Sequence, residues 1–429
     1  MTAAASARPS PRGVRGVSWS EQPARVRAPA TSANLGPGFD ALGLALALHD
    51  EVEARVTDGG LVIEVAGEGG GTAAAGERHL VVRAMRAAFG AIGGQPPGIA
   101  LRCANAIPHG RGLGSSAAAI CSGLLAARAL AGADGARLSD EALFQLAVTL
   151  EGHPDNVAAC LAGGLTIAWT PRPAPTAPAG AGEPGAAEPG AGESGAGEPG
   201  AGESGAGGTG ARAAGAGEPG RARLLRIGLP AALRAVACVP AVPLATEAAR
   251  QALPRTVPHA DAAANAGRSA LLIAALTGAP HLLFDATEDF LHQPYRAAIM
   301  PETASLLGAL RRAGAAAVVS GAGPTVLVLS FDGQWPSADA VDSIARETGI
   351  AWHVIPLHID QQGAHVQQGG LDVHPPVSAR HAATRNQRPS WNQSGDRAQA
   401  AREGPGVTGP VSGVRDRQQP KECRGLRWC

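Results

Sequence analysis

The most constraining feature of the chain is the segment PHGRGLGSSAAA at residues 108–119. It places three glycines (Gly110, Gly112 and Gly114) within five residues, followed by two serines and a proline-free apolar run to about Leu130. This pattern predicts a glycine loop that enters a helix, with a serine at the helix cap. The free N–H groups and the dipole of such a helix end favour a phosphate, and glycine lets phosphate oxygens approach the backbone. A turn before a core helix is the simpler interpretation, but the density of glycine and serine exceeds what a turn needs.

The same segment excludes several familiar nucleotide loops. A Walker A loop and a protein-kinase site both need a lysine, and the only lysine of the chain, Lys421, lies in a low-complexity tail. The glycines are spaced GxGxG, whereas a Rossmann loop has GxGxxG. Any nucleotide bound here must therefore be held by backbone amides, hydroxyls, Mg²⁺ and arginine.

Composition argues against nucleic acid and membranes as partners. The formal net charge is zero and aromatic residues make up only 3% of the chain, so neither a basic surface nor a base-stacking surface is indicated. No apolar run approaches the length of a membrane span. Four of the six cysteines sit singly in apolar runs and none forms CxxC, which favours buried thiols in a reducing, cytoplasmic setting and no zinc site. An organellar transit peptide is a weaker interpretation of the acid-free N-terminus than a disordered extension.

Composition shifts divide the chain into five parts. Glycine, alanine, proline and glutamate repeats cannot bury a core, so the insert is predicted to be a disordered loop at a hairpin tip. The predicted parts are a disordered extension at 1–24, a first domain at 25–170, the low-complexity insert at 171–223, a second domain at 224–359 and a disordered tail at 360–429.

Three stretches together resemble the GHMP small-molecule kinases. IPHGRGLGSSAAA (107–119) is similar to the second motif of that family, and SGAGPT (320–325) is similar to the third. TSANLGPGFDALGLAL (31–46) resembles the first motif of the homoserine-kinase branch. The resemblance implies an α+β, two-domain GHMP kinase fold, with an N-terminal mixed sheet and helices and a C-terminal ferredoxin-like α+β half. It also implies ATP-dependent phosphorylation of L-homoserine to O-phospho-L-homoserine, a step of threonine synthesis.

The resemblance places ATP on the glycine loop and Mg²⁺ beside it. The implied ATP-binding residues are Pro108, His109, Gly110, Arg111, Gly112, Leu113, Gly114, Ser115, Ser116, Ala117 and Ala118. Glu151 ends a predicted helix, where its carboxylate meets the negative end of the dipole at a cost of up to about 1 kcal/mol. A bound cation would remove this conflict, so Ser116 and Glu151 are the expected Mg²⁺ ligands. The alternative for Glu151 is a solvated surface glutamate. His79 stands where the family often has asparagine near the adenine.

The remaining implied residues serve the acceptor. An aspartate suits an ammonium group and an amide suits a hydroxyl or carboxylate, which fits Asp40 and Asn34 of the first motif. Arg296 is expected to clamp the amino-acid carboxylate. The other residues implied to bind substrate are His153, Asp155, Asn156, Arg250, Gly321 and Gly323, and those implied to be catalytic are Asn34, Glu151, Thr246 and Arg250.

Two alternatives to this function stay open. Asn156 aligns with a catalytic aspartate of mevalonate kinases, and an amide cannot accept a proton as a base. A homoserine kinase that transfers the phosphoryl group without a dedicated base accommodates this difference. The first alternative is a catalytically inactive sensor on the same fold, which Asn156 and the altered His79 keep open. The second alternative is a GHMP kinase for another alcohol, such as mevalonate. The sequence does not determine the oligomeric state, and a homodimer is kept as one option.

Overall fold

The computed structural model describes residues 16–171 and 220–367. The predicted insert lies almost entirely outside the described residues, as does the tail beyond 367. The chain on the two sides of the insert forms two antiparallel strands, in which Trp169 pairs with Arg223. The insertion point is therefore the tip of a hairpin, as predicted.

Seven strands form the first sheet. They are β1 (Ala24–Ala33), β2 (Leu42–Thr57), β3 (Gly60–Gly67), β4 (Gly98–Asn105), β5 (Leu165–Trp169), β6 (Arg223–Ile227) and β11 (His365–Val366). The main order is β11-β1-β2-β4-β3, with β5 paired to β2 and β6 paired to β5. Because β3 and β4 are parallel and the other pairs are antiparallel, this is the mixed sheet that was predicted.

Four helices accompany this sheet: α1 (Leu80–Ile92), α2 (Ser115–Leu130), α3 (Asp140–Glu151) and α4 (Pro154–Ala162). Small apolar residues allow α2 to be buried on most sides, with α1 packed closely against it. A Cβ on Gly123 of α2 would lie only 2.5 Å from the Val81 carbonyl oxygen of α1. Ser139 caps α3, since its Oγ accepts a hydrogen bond from the Ala142 N–H at 3.2 Å.

The predicted serine cap of α2 is wrong. The capping residue is Gly114, which has φ +68° and offers no side chain. A Cβ at this position would lie 1.9 Å from Thr31 Oγ1, so the contact between β1 and the loop requires glycine. Ser115 and Ser116 instead form the first turn of the helix.

The second sheet has four antiparallel strands: β7 (Leu233–Pro240), β8 (Ala316–Val319), β9 (Val326–Phe331) and β10 (Trp352–His358). Its order is β10-β7-β9-β8. Between β7 and β8 lie α5 (Thr246–Gln251), α6 (His259–Thr277), α7 (Leu283–Ala286), α8 (Gln293–Arg296) and α9 (Pro301–Arg312), and α10 (Ala338–Glu347) precedes β10. This strand order with helical crossovers is the ferredoxin-like arrangement, as predicted.

The folded chain extends past both of its predicted limits. Before residue 25, the Trp19 ring packs edge-on against Phe89 with the ring centroids 5.1 Å apart. After residue 359, the Asp360 carboxylate contacts His49 Nε2 at 2.7 Å, and β11 pairs with β1. Each of these short segments is held by a few tertiary contacts to a strand or helix that is distant in sequence. Neither segment therefore needs the periodic apolar pattern from which an element can be predicted.

Within the described ranges, no helix combines the length and apolar character that a bilayer crossing requires. The four cysteines of these ranges, Cys103, Cys121, Cys160 and Cys238, are free and buried, as the sequence indicated.

Candidate active site

The glycine loop adopts a backbone that only glycine tolerates well. Gly110, Gly112 and Gly114 have φ values of +66°, +74° and +68°. A Cβ on Gly112 would lie 2.2 Å from the carbonyl oxygen of Ser320, which belongs to the third motif. Ser320 Oγ also donates a hydrogen bond to the Gly112 carbonyl at 2.6 Å. The third motif thus packs directly against the glycine loop.

Several predicted nucleotide residues hold the loop in place. The Arg111 guanidinium donates to the carbonyl oxygens of His109, Pro240 and Ala241 at 2.6 to 2.9 Å, which ties the loop to the end of β7. Leu113 is fully buried in the core. Ala117 and Ala118 are fully buried as well. These side chains position the loop, and the backbone N–H groups are what the loop can offer to a phosphate.

A cavity of about 180 Å³ at the start of α2 brings the three motifs together. Its lining residues are Ala33, Asn34, Asp40, Gly110, Gly112, Gly114, Ser115, Ser116, Glu151, His153, Asp155, Asn156, Thr246, Arg250, Arg296, Gly321 and Ala322. Gly323, which was expected beside the substrate, is not among them. A Cβ on Gly323 would lie 2.7 Å from Met300 Sδ, so this glycine is a packing requirement behind the cavity.

Glu151 and Ser116 meet at the edge of the cavity. Ser116 Oγ donates a hydrogen bond to Glu151 Oε1 at 2.6 Å. Burial raises the pKa of Glu151, although the Ser116 hydroxyl and nearby His153 act in the opposite direction. A carboxylate and a hydroxyl are suitable Mg²⁺ ligands when phosphates and water complete the coordination. Among the described residues, no group of three or more His, Cys, Asp or Glu side chains could hold a metal without such help.

Asn34 braces the first motif against the third. The backbone of Asn34 is left-handed, with φ +69°, and its side-chain Nδ2 donates to the Gly321 carbonyl oxygen at 2.8 Å. Asn34 Oδ1 accepts the Asp40 N–H at 2.9 Å. The side chain therefore shapes the acceptor loop while it lines the cavity.

Asp40 and Arg250 form an ion pair with each other. The Arg250 guanidinium makes two hydrogen bonds to the Asp40 carboxylate, at 2.9 and 3.2 Å. The pairing raises the pKa of Arg250. Thr246 lies one helical turn earlier on α5 and also lines the cavity.

A second charged pair stands at the start of α4. His153 Nδ1 contacts Asp155 Oδ1 at 2.5 Å, and the same oxygen accepts the Asn156 N–H at 2.8 Å. Burial opposes the charged imidazole, but the hydrogen bond and charge of Asp155 outweigh it and the pKa of His153 is raised. Asn156 Oδ1 accepts a hydrogen bond from Thr31 Oγ1 at 2.7 Å. Every potential base on this side of the cavity is thus already engaged.

Arg296 is a deeply buried charge of the site, with 2% of the residue exposed. Its guanidinium donates to the carbonyl oxygens of Ala249 and Gly321 at 3.0 and 3.3 Å. It also lies 5.5 Å from the centroid of the Phe39 ring. Burial lowers the pKa of Arg296, and no carboxylate of the described chain lies within ion-pair distance of it. A substrate carboxylate would supply the missing partner.

His292 is a site residue that the sequence analysis missed. The ring is fully buried, and burial lowers its pKa. Nε2 lies 2.8 Å from the Gly36 carbonyl oxygen, so it carries the proton, and Nδ1 accepts from Arg296 at 3.1 Å. The neutral imidazole therefore orients Arg296 toward the cavity. No motif or periodicity singled out His292, because only the packing of α8 against the first motif reveals its partners.

A second cavity of about 310 Å³ shares Ser115 and Ser116 with the first. Its wall is mostly apolar but contains two buried polar atoms, His79 Nδ1 and Ser122 Oγ, that lack a hydrogen-bond partner within the described chain. Burial lowers the pKa of His79, so its imidazole is neutral. An apolar pocket with two unsatisfied polar atoms suits a planar heterocyclic base.

The sequence is similar to known GHMP kinases over both parts of the fold. The GHMP kinases N terminal domain model matches residues 79–164, and the GHMP kinases C terminal model matches residues 268–352. The homoserine kinase of Streptomyces coelicolor is 49% identical over 342 residues, which cover 80% of this chain and 94% of that protein. The homoserine kinase of Streptomyces avermitilis is 48% identical over 343 residues, covering 80% and 95%.

Solved structures show the same fold. The crystal structure of homoserine kinase from Cytophaga hutchinsonii matches with a TM-score of 0.60 at 24% identity, covering 83% of this chain and all of that one. A putative homoserine kinase from Listeria monocytogenes matches with a TM-score of 0.55 at 26% identity, covering 81% and 100%. The motifs, the two-sheet architecture and the extent of the sequence matches lead to one conclusion: the chain belongs to the homoserine kinase family of the GHMP kinases.

Proposed function

We propose that the protein transfers the terminal phosphoryl group of ATP to the hydroxyl of L-homoserine, giving O-phospho-L-homoserine and ADP in threonine synthesis. The observation that carries this proposal is a single cavity. It joins the glycine loop, the Ser116–Glu151 pair and a buried guanidinium that lacks an anion. An amino-acid alcohol presents the carboxylate and the hydroxyl that such a cavity requires.

The nucleotide spans the two cavities. Its base enters the apolar pocket, where His79 Nδ1 and Ser122 Oγ are the polar atoms available to it. Its phosphates pass Ser115 and Ser116, which line both cavities, and rest on the backbone N–H groups at the start of α2. No lysine is required in this arrangement.

Mg²⁺ fits beside these phosphates. Glu151 Oε1 and Ser116 Oγ would hold the ion, and when bound it would supply positive charge to the transferring phosphoryl group. Because burial disfavours the charged carboxylate, the ion would also relieve the cost of keeping Glu151 ionised.

The acceptor is oriented by charge. Arg296, held by His292, receives the carboxylate, while the Asp40 carboxylate, which Arg250 holds in place, receives the ammonium group. Asn34 fixes the loop that carries Asp40.

Positioning accounts for the chemistry without a general base. Phosphoryl transfer depends mainly on alignment and charge stabilisation, so the hydroxyl need not be deprotonated first and loses its proton to a phosphoryl oxygen or to water as the new O–P bond forms and the bond to ADP breaks. Asp155 is engaged by His153 and by the Asn156 N–H, and Asp40 by Arg250. None of these groups is therefore free to act as a base in this state.

A coupled assay of ADP release tests the proposal with L-homoserine, mevalonate and no acceptor. We expect turnover with L-homoserine alone. Turnover with mevalonate and none with L-homoserine would identify mevalonate as the acceptor in place of L-homoserine. Binding of homoserine without ATP turnover would show that the protein is a sensor.

We further propose a cytoplasmic setting, which the free buried cysteines support, and no nucleic-acid or membrane partner. Light scattering would determine whether the protein is a homodimer.

A further inference from the structure

A third cavity of about 340 Å³ lies behind the acceptor site and has no part in the proposed reaction. It is formed by the segment 287–300, one face of α9 and Val319 at the end of β8. Its wall is predominantly apolar, with Pro294, Met300 and Leu307 among the contributing residues. A cavity of this size and character is typical of small-molecule sites.

One cation stands in this apolar wall without a matching anion. The Arg311 guanidinium donates to Thr287 Oγ1 at 3.0 Å and to the carbonyl oxygens of Ala317 and Phe284 at 3.3 and 3.2 Å. All three acceptors are neutral. Asp285 and Glu288 lie near enough to favour its charge, but no carboxylate in the described ranges forms an ion pair with it.

The two carboxylates of the cavity wall are already satisfied. Glu288 is paired with Arg268 at 2.7 Å. Asp289 accepts the backbone N–H groups of Leu291, His292 and Gln293 at 2.6 to 3.1 Å. The cavity therefore offers a ligand an apolar surface and one positive charge, and no free anion for an ammonium group.

From this combination we infer that the third cavity is a binding site for a small aliphatic monocarboxylate that lacks an ammonium group. Its carboxylate contacts the Arg311 guanidinium, and its branched hydrocarbon body packs against Met300 and Leu307. This ligand differs from the amino-acid acceptor in the absence of the ammonium group.

The wall of this cavity includes residues that adjoin the supports of the acceptor site. Gln293 Oε1 accepts the Val319 N–H at 2.5 Å, and Val319 precedes the third motif. The neighbouring His292 orients Arg296. A ligand that contacts Gln293 and Val319 therefore touches the supports of the acceptor site, and occupancy is expected to shift the KM for L-homoserine more than kcat.

The test is isothermal titration of the whole protein, saturated with L-homoserine, with 4-methylpentanoate as the probe. Saturation keeps the probe out of the acceptor site. We expect binding at about millimolar concentration, and none by 4-methylpentylamine. Ala304→Leu on α9 fills the cavity and should weaken binding by about tenfold or more, whereas Ser305→Leu, at the next and exposed position, should not.

Arg311→Gln should also weaken binding by about tenfold, with Arg312→Gln as the exposed neighbouring control. Because Arg311 also holds three neutral acceptors, Ala304→Leu keeps the test valid if the Arg311 variant unfolds. Absence of probe binding, loss of binding when L-homoserine is present, or equal binding to Ala304→Leu would overturn the inference. Equal binding of 4-methylpentanol would overturn the role of Arg311.

Discussion

Arg250 and Asp40, 210 residues apart in the chain, meet at the acceptor cavity through two hydrogen bonds of 2.9 and 3.2 Å. Both side chains are more than a third exposed, so the pair should contribute no more than about 1 kcal/mol to the free energy of unfolding. We expect Asp40→Asn to leave the melting temperature nearly unchanged but to raise the KM for L-homoserine by about tenfold or more, because it removes the acceptor's ionic partner. Steady-state kinetics and thermal melts measure both effects.

Asp332→Asn is the matched control for this substitution. It breaks another surface ion pair, between Asp332 and Arg234 at 2.6 Å, which does not line the cavity. Its KM should equal that of the unmodified protein. If Asp40→Asn and Asp332→Asn behave alike in KM, Asp40 does not bind the acceptor.

Glu151→Gln tests the metal site. The substitution keeps the shape of the side chain but removes the charge, so we expect turnover to fall by about 100-fold and the Mg²⁺ needed for half-maximal rate to rise. Because burial raises the pKa of Glu151, protons should compete with Mg²⁺ at pH values above the ordinary glutamate value of 4.5. Acidification should therefore increase the Mg²⁺ requirement of the unmodified enzyme and not that of the variant. An unchanged Mg²⁺ dependence in Glu151→Gln would show that Glu151 does not bind Mg²⁺.

The His153–Asp155 pair should make stability depend on pH. The pKa of His153 is raised in the folded state, so the pair's contribution is complete below the unfolded value of 6.5 and disappears as the pH rises through the higher folded value. We expect the melting temperature of the unmodified protein to exceed that of His153→Gln at about pH 6, and the difference to shrink by about pH 9. A difference that grows with pH would contradict a charged His153. His353→Gln, at an exposed position, is the control.

Gly112→Ala should destabilise the glycine loop more than Gly110→Ala. Both residues have positive φ, which costs an alanine about 1 kcal/mol. At Gly112 the new Cβ would also meet the Ser320 carbonyl oxygen at 2.2 Å, whereas at Gly110 its nearest neighbour is Pro243 Cβ at 3.3 Å. Urea unfolding should show an additional loss of about 2 kcal/mol for Gly112→Ala, with weaker ATP binding. Equal losses would show that the two motifs do not pack as described.

Deletion of residues 174–219 should preserve activity. The strands on either side pair from Leu165 with Ile227 to Trp169 with Arg223, and the deletion leaves a short loop that can close this hairpin. We expect the kcat and KM for L-homoserine to stay within about twofold of the full chain. Loss of folded protein, seen by circular dichroism, would show that the insert is structural.

Much of the candidate site could be predicted because its signals are local. The glycine loop and the start of the helix that follows it each depend on a few consecutive residues. The failures are equally physical. The serine cap of α2 was wrong because Thr31, from another element, occupies the space that a side chain at 114 would need. The ends of the fold were missed because β11 exists only through its pairing with β1.

The sequence by itself determined the position of the glycine loop, the family and the set of chemical groups available for a phosphoryl transfer. Only the tertiary structure decided which of those groups meet. Asn34 reaches Gly321 across 287 residues, and Arg296 becomes a buried guanidinium because His292 and Gly321 enclose it. Local conformational preferences depend on residues that are close together in the chain. Burial and charge pairing, by contrast, arise only when the two sheets and their helices come together.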